Sequence, residues 1–125
     1  MIVCIVSNGD PDEMKPPAFK YERPTSVDAA LEALSAHEDA KILAGGQSMI
    51  PMMNFRLAKP ETIVDINQLE SLDYVREEDG DIAIGSLTRQ ATVEDSAVAQ
   101  EHCPLTVEAL GYIGHKTIRN RGTFG

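Results

Sequence analysis

The chain has 125 residues, 42% of them hydrophobic, and a formal net charge of −9 from 11 basic and 20 acidic side chains. That length supports a domain with a core of its own, and so acidic a balance argues against nucleic acid or an anionic membrane as the main partner. An anionic cofactor stays open only if backbone N–H groups or a local basic patch receive it.

Cys4 and Cys103 have neither the number nor the spacing of a disulfide framework, a zinc site or an iron–sulfur cluster. They read as free thiols of a reducing compartment, so the expected location is cytoplasmic. The opening MIVCIV is apolar but lacks a basic n-region and is too short for a signal peptide or a membrane span. Residues 1–13 are expected to be a leader or a misassigned start, with a short edge strand over IVCIV as the alternative. Met14 then opens the domain.

RPTSVDAALEALSAH carries a helix start, with Thr25 or Ser26 as cap and Val27, Ala30, Leu31 and Leu34 on one face. DAKIL, 39–43, reads as a buried strand. A glycine turn follows, and SMIPMMNFRLA reads as a second helix with Ser48 as cap and Pro51 in its first turn, stopped by Lys59-Pro60. TIVDI, 62–66, is β-branched and bounded by turn residues, hence a strand. A strand–helix–strand unit of this length implies parallel pairing with a right-handed crossover.

After residue 70 the pattern changes. YVREEDGDIAIGSLTR is a hairpin candidate around Asp79-Gly80. ATVEDSAVAQ reads as one short helix capped at Thr92. CPLTVEALGYIG reads as another, with Pro104 in its first turn and Leu105, Ala109, Leu110 and Ile113 on one side. The end, HKTIRNRGTFG, is basic and breaks off inside a second glycine turn, so the chain reads as cut short.

Both glycine turns carry possible chemistry. LAGGQS follows a strand and opens a helix, where glycines let a phosphate approach bare backbone and the helix start presents unpaired N–H groups. The pattern is neither GxGxxG nor a P-loop, so spacing alone leaves a phosphate cradle and a plain tight turn needing φ > 0 equally open. In RNRGTFG, Arg119 and Arg121 beside Gly122, Thr123 and Gly125 could add donors to an anion. A basic helix end that offsets its own dipole explains them as well.

LAGGQSMIPMMNFRLAKPETIVDINQLESL, followed by IGSLTR and IRNRGTFG, resembles the FAD-binding medium subunit of the molybdenum hydroxylases, the xanthine dehydrogenase and aerobic carbon monoxide dehydrogenase family. The resemblance runs from about Met14 to Gly125. It implies an α/β (α+β) flavin domain of the p-cresol methylhydroxylase type. Its first lobe, 14–70, would be complete with a small βαβ sheet, and a more β-rich second lobe, 71–125, only begun. Leu43, Ala44, Gly45, Gly46, Gln47, Ser48, Met49 and Ile50 match the first FAD loop, which wraps the pyrophosphate. Thr123, Phe124 and Gly125 match the start of the second loop, whose continuation the sequence lacks. Ile113 falls where relatives place an apolar or aromatic contact to the cofactor, and Thr88 in a stretch packed near the flavin.

The same resemblance implies FAD as the cofactor of this chain, with molybdopterin and iron–sulfur clusters on a large and a small partner subunit. The subunit would relay electrons from those clusters through FAD to an acceptor, as part of an oxidoreductase. The 125 residues alone would then be inactive and bind FAD weakly. The alternatives are a truncated non-catalytic remnant and a phosphate-ligand binding module without redox activity. No catalytic acid, base or nucleophile emerges, as expected where a flavin carries the redox chemistry. His37 and His102 lack a metal-ligand partner at useful spacing, His115 lies near the second turn, and Met49, Met52, Met53 and Leu57 read as a core stripe. The substrate of the molybdenum subunit and the electron acceptor are not written in this chain.

Overall fold

The computed structural model describes residues 14–125, so the readings of residues 1–13 lie outside the described residues. The described chain divides after Leu69 into two units.

The first unit begins with an element that the sequence pattern did not announce. Strand β1, Lys20–Glu22, pairs in parallel with strand β3, Thr62–Asp65, in the register Tyr21 opposite Ile63. KYE has neither alternation nor a β-branched residue; its partner forty residues on makes it a strand, through bonds such as Lys20 N–H to Glu61 O at 2.8 Å. Helix α1, Val27–Ala36, starts where Ser26 accepts a hydrogen bond from the Ala29 N–H at 3.2 Å, so Ser26 rather than Thr25 is the cap. Of its expected apolar face, Ala30 is buried, whereas Val27 and Leu31 are exposed.

Strand β2, Ala40–Leu43, also pairs in parallel with β3, giving the order β1-β3-β2. The central strand is buried at all four positions, as a β-branched run flanked on both sides requires. β2 and β3 are joined through helix α2, Met49–Asn54, which confirms the expected parallel βαβ unit.

Helix α2 starts at Met49, directly after Ser48 as expected, with Pro51 in its first turn, where a missing N–H costs little. Its other end is a Schellman turn rather than a stop at Lys59-Pro60. Arg56 adopts φ +59°, its N–H bonds Met53 O at 3.0 Å, and the Leu57 N–H bonds Met52 O at 2.8 Å. The expected core stripe therefore reduces to Met53, which is fully buried; Met52 and Leu57 are exposed.

The second unit, Glu70–Gly125, opens with a 3-10 turn, Glu70–Leu72, and the anticipated hairpin of β4, Val75–Glu78, and β5, Asp81–Ile84. Asp79 and Gly80 both have positive φ, the condition for a two-residue type I′ loop. The single helix expected over 91–100 is two, α3 (Gln90–Glu94) and α4 (Ala97–His102), and Thr92 lies inside α3 rather than capping it. Ser96 separates them, its hydroxyl accepting from the Ala99 N–H at 3.3 Å.

Helix α5, Pro104–Gly111, takes Pro104 at its first position. Its buried side is Leu110 with Val107 and Cys103, packed with Val93, Ala99 and the hairpin residues Val75, Ile82 and Ile84. Leu105, expected on that face, is exposed. A short helix, α6 (Lys116–Arg119), precedes the C-terminal residues. After the 3-10 turn, one hairpin followed by four helices makes up the rest of this unit.

Candidate functional site

All three parallel strands end at the same edge, at Glu22, Leu43 and Asp65, the edge at which ligands bind in open parallel sheets. The glycine turn leaves β2 there. Gly45 is buried, and Gly46 takes φ +77°, which settles which of the two glycines meets the left-handed requirement. A Cβ on Gly46 would also crowd Ile50 at 3.3 Å and Leu43 at 3.4 Å.

Gln47 and Ser48 are exposed, and Met49 and Ile50 begin α2 half-buried. The Ile50 N–H closes onto Gly46 O at 3.1 Å. Among the described residues, the amide N–H groups of Gly46, Gln47, Ser48 and Met49 donate to no acceptor. The Ser48 side chain, expected as a cap, makes no cap hydrogen bond, so its hydroxyl is uncommitted to the helix.

A polar network that the sequence reading missed secures the start of this turn. Asn67 Nδ2 donates to Ala44 O at 2.8 Å and to Asp65 Oδ1 at 2.6 Å, with Leu43 O at 3.4 Å. The Asn67 N–H also bonds Asp65 Oδ1, at 2.9 Å, and the Ile66 N–H takes Leu43 O at 3.1 Å. On the far side, the Tyr21 hydroxyl donates a hydrogen bond to Asp65 Oδ2, and Arg23 Nε stands 4.0 Å from the same oxygen. Burial pushes the Asp65 carboxyl up. The hydrogen bonds from Tyr21 and Asn67, with the Arg23 charge, outweigh it and hold the group below its usual range. Burial raises Tyr21, and its bond to Asp65 adds to that.

The remaining candidates lie in the second unit. Thr88 is fully buried, and its hydroxyl both accepts from the Tyr74 N–H and donates to Tyr74 O, each at 2.9 Å. A bridge between Arg89 and Thr123 brings the C-terminal residues beside it: Phe124 N–H bonds Thr88 O at 2.8 Å, and Gly125 N–H bonds Ser86 O at 3.0 Å. The side chains of Phe124 and Ile113 are both exposed.

Arg119, raised above as a donor to an anion, is used internally. It is buried, forks onto Glu94 at 2.9 and 3.3 Å, and donates to the carbonyls of Ile113 and Gly114 at 3.0 and 3.2 Å. His37 lies between Lys20 Nζ and Glu22 Oε1, at 3.0 and 3.2 Å, and His102 lies 3.5 Å from Glu77. Among the described residues there is no group of three His, Cys, Asp or Glu able to hold a metal ion, and no helix long and apolar enough to cross a membrane.

A family model described as the FAD binding domain in molybdopterin dehydrogenase matches residues 17–125. The chain belongs to that family. This FAD-binding domain is 47% identical over 113 residues to the 6-hydroxypseudooxynicotine dehydrogenase complex subunit alpha of Paenarthrobacter nicotinovorans, covering 90% of this chain and 38% of that one. It is 43% identical, with the same coverage, to caffeine dehydrogenase subunit beta of a Pseudomonas strain. Among solved structures it resembles carbon monoxide dehydrogenase from Hydrogenophaga pseudoflava at a TM-score of 0.84 and 42% identity, covering 86% of this chain and 38% of that chain. The mixed α/β fold is thus that of the medium, flavin-carrying subunits, and the chain spans about two-fifths of the length of the relatives it matches.

The Leu43–Ile50 turn fits the pyrophosphate of FAD. It offers consecutive unpaired amides and a free hydroxyl, and at Gly46 a conformation that side chains rarely adopt. It contains no lysine or arginine, so its donors are backbone ones. An acidic chain requires donors of that kind if it is to hold a phosphate without a basic patch.

Proposed function

We propose that this chain contributes the pyrophosphate-holding part of the FAD-binding medium subunit of a molybdopterin-dependent dehydrogenase. One observation carries the reading: the run of unpaired amides from Gly46 to Met49 at the strand-end edge, in a chain of the FAD-binding family. Leu43–Ile50 would hold the phosphates, with Ile113, Thr123, Phe124 and Gly125 as further contacts and Thr88 supporting them through the Tyr74 backbone. When bound, FAD supplies the redox chemistry that links iron–sulfur clusters to an electron acceptor. The residues of this chain bind and orient it and exchange no proton with a substrate.

The partners in this reading are a large molybdenum subunit and a small iron–sulfur subunit, in the cytoplasm. The relatives' names support leaving substrate choice to those partners. Chains of 47%, 43% and 42% identity are named for 6-hydroxypseudooxynicotine, caffeine and carbon monoxide, three unrelated substrates.

Flavin-fluorescence titration of the 125-residue chain tests the assignment. FAD should bind more tightly than riboflavin, which lacks the pyrophosphate. Gly46→Asp should cost at least tenfold, because a carboxylate there repels and crowds the phosphates. Ser48→Ala, which removes no helix cap, should cost about 1 kcal/mol, or roughly fivefold. Unchanged affinity in both variants would overturn the assignment of the loop. Equal affinity for ADP and FAD would instead favour a phosphate-ligand module.

A further inference from the structure

The peptide that enters the glycine turn is held from behind. We infer that Asn67, anchored by Asp65, is a positioning residue for the cofactor: by holding the Ala44 carbonyl it aims the Gly45 N–H away from the sheet, toward the phosphate. This inference rests on the proposed FAD reading and adds residues that the glycine pattern does not contain.

The argument is geometric. In a trans peptide the C=O and the following N–H point in opposite directions. Ala44 O lies 2.8 Å from Asn67 Nδ2, so the Gly45 N–H in the same plane faces the other way. Leu43 O is held by the Ile66 N–H at 3.1 Å, which turns the Ala44 N–H away from it in the same manner. Two successive peptide planes are therefore set by residues 66 and 67.

Asn67 has no freedom to invert. Its amide nitrogen faces three oxygens, Ala44 O, Leu43 O and Asp65 Oδ1, whereas a flipped amide would set its oxygen against all three. Its backbone is fixed as well, by the bond from its own N–H to Asp65 Oδ1. Asp65 is in turn anchored by Tyr21 from β1. The relay crosses all three strands, from Tyr21 on β1 through Asp65 on β3 to the exit of β2. Preorganised donors contribute most when they need not reorient as charge arrives, and this relay supplies that rigidity to a loop that carries two adjacent glycines.

The test compares wild type with Asn67→Ala and Asn67→Ser, the serine hydroxyl being too short to reach Ala44. Folding is checked by circular dichroism, and FAD affinity is measured well below the unfolding temperature. Affinity should fall at least tenfold in both variants. The ¹⁵N–¹H residual dipolar coupling of Gly45 should change, while those of Ile63 and Val64 in β3 stay put; a merely structural loss would move the strand amides as well. Wild-type binding with unaltered affinity in the folded variants would overturn the positioning role and leave the FAD reading standing. An unchanged Gly45 coupling in a weakened variant would overturn it too. Failure of wild type to bind FAD would overturn both.

Discussion

The Asp65 carboxylate concentrates much of the first unit's polar chemistry in one residue. It accepts from Tyr21 and twice from Asn67, and its pKa is depressed by those bonds against the opposing pull of burial. A depressed carboxyl contributes stability that is fully present above its unfolded pKa, near 3.9, and is lost as pH falls through the lower folded value. Glu22, lowered by its hydrogen bond from Lys20 against burial, with His37 adding to it, acts on the same acid limb. Asp65→Asn should therefore cost about 2 kcal/mol at pH 7, the range of hydrogen bonds to a charged group. The gap to wild type should narrow below about pH 4, as wild type gives up its own advantage. Urea unfolding between pH 3 and 7 measures this, and a gap constant across that range would show that charge plays no part. No local pattern marks Asp65: it reads as one more residue of the TIVDI strand, and Tyr21, which anchors it, lies on a strand distant in sequence.

Elements were legible where local chemistry sets them. Ser26 caps α1, the β-branched run at 62–65 forms the central strand, and Asp79-Gly80 closes the hairpin, each from its own few residues. What stayed hidden depends on distant partners. β1 exists only through β3, the α5 face was misread because Val107 rather than Leu105 meets Val93 and Ala99, and Gly85 is needed because a Cβ there would strike the Leu72 carbonyl. Of the candidate site, the glycine turn was visible as a motif, while its clamp was not. The pairing of α3 with α6 through Glu94 and Arg119 belongs to the hidden class too, since RNRG reads locally as a basic helix end or an anion donor, neither of which names Glu94. Removing one partner of a buried pair leaves an uncompensated charge, which costs about 3–5 kcal/mol. Glu94→Ala should approach the lower figure, because the Ile113 and Gly114 carbonyls still receive Arg119. The double variant Glu94→Leu/Arg119→Met should recover most of that loss in thermal unfolding. A double variant as unstable as the single one would mean that the bonds from Arg119 to the Ile113 and Gly114 carbonyls, rather than the ion pair, carry the stability of this contact.

At the scale of the whole molecule, the net charge of −9 bears on how an anionic cofactor arrives. The proposed loop holds the pyrophosphate with backbone dipoles, which act over a few ångströms and are little affected by salt once the ligand is seated. The approach is governed instead by the field of the entire chain, which repels a doubly anionic ligand. That repulsion reaches far at low ionic strength, where the Debye length is about 30 Å at 0.01 M, and is largely screened at 0.15 M, where it is about 8 Å. The association rate for FAD should therefore rise a few-fold between those concentrations while the dissociation rate stays nearly constant. A protein that gathers phosphates with a lysine or arginine patch behaves in the opposite sense, its association slowing as salt screens the attraction. Stopped-flow quenching of flavin fluorescence separates the two rates. An association rate that falls with salt would mean that basic side chains gather the cofactor, and the amide cradle at Gly46–Met49 would lose its role as the principal phosphate site.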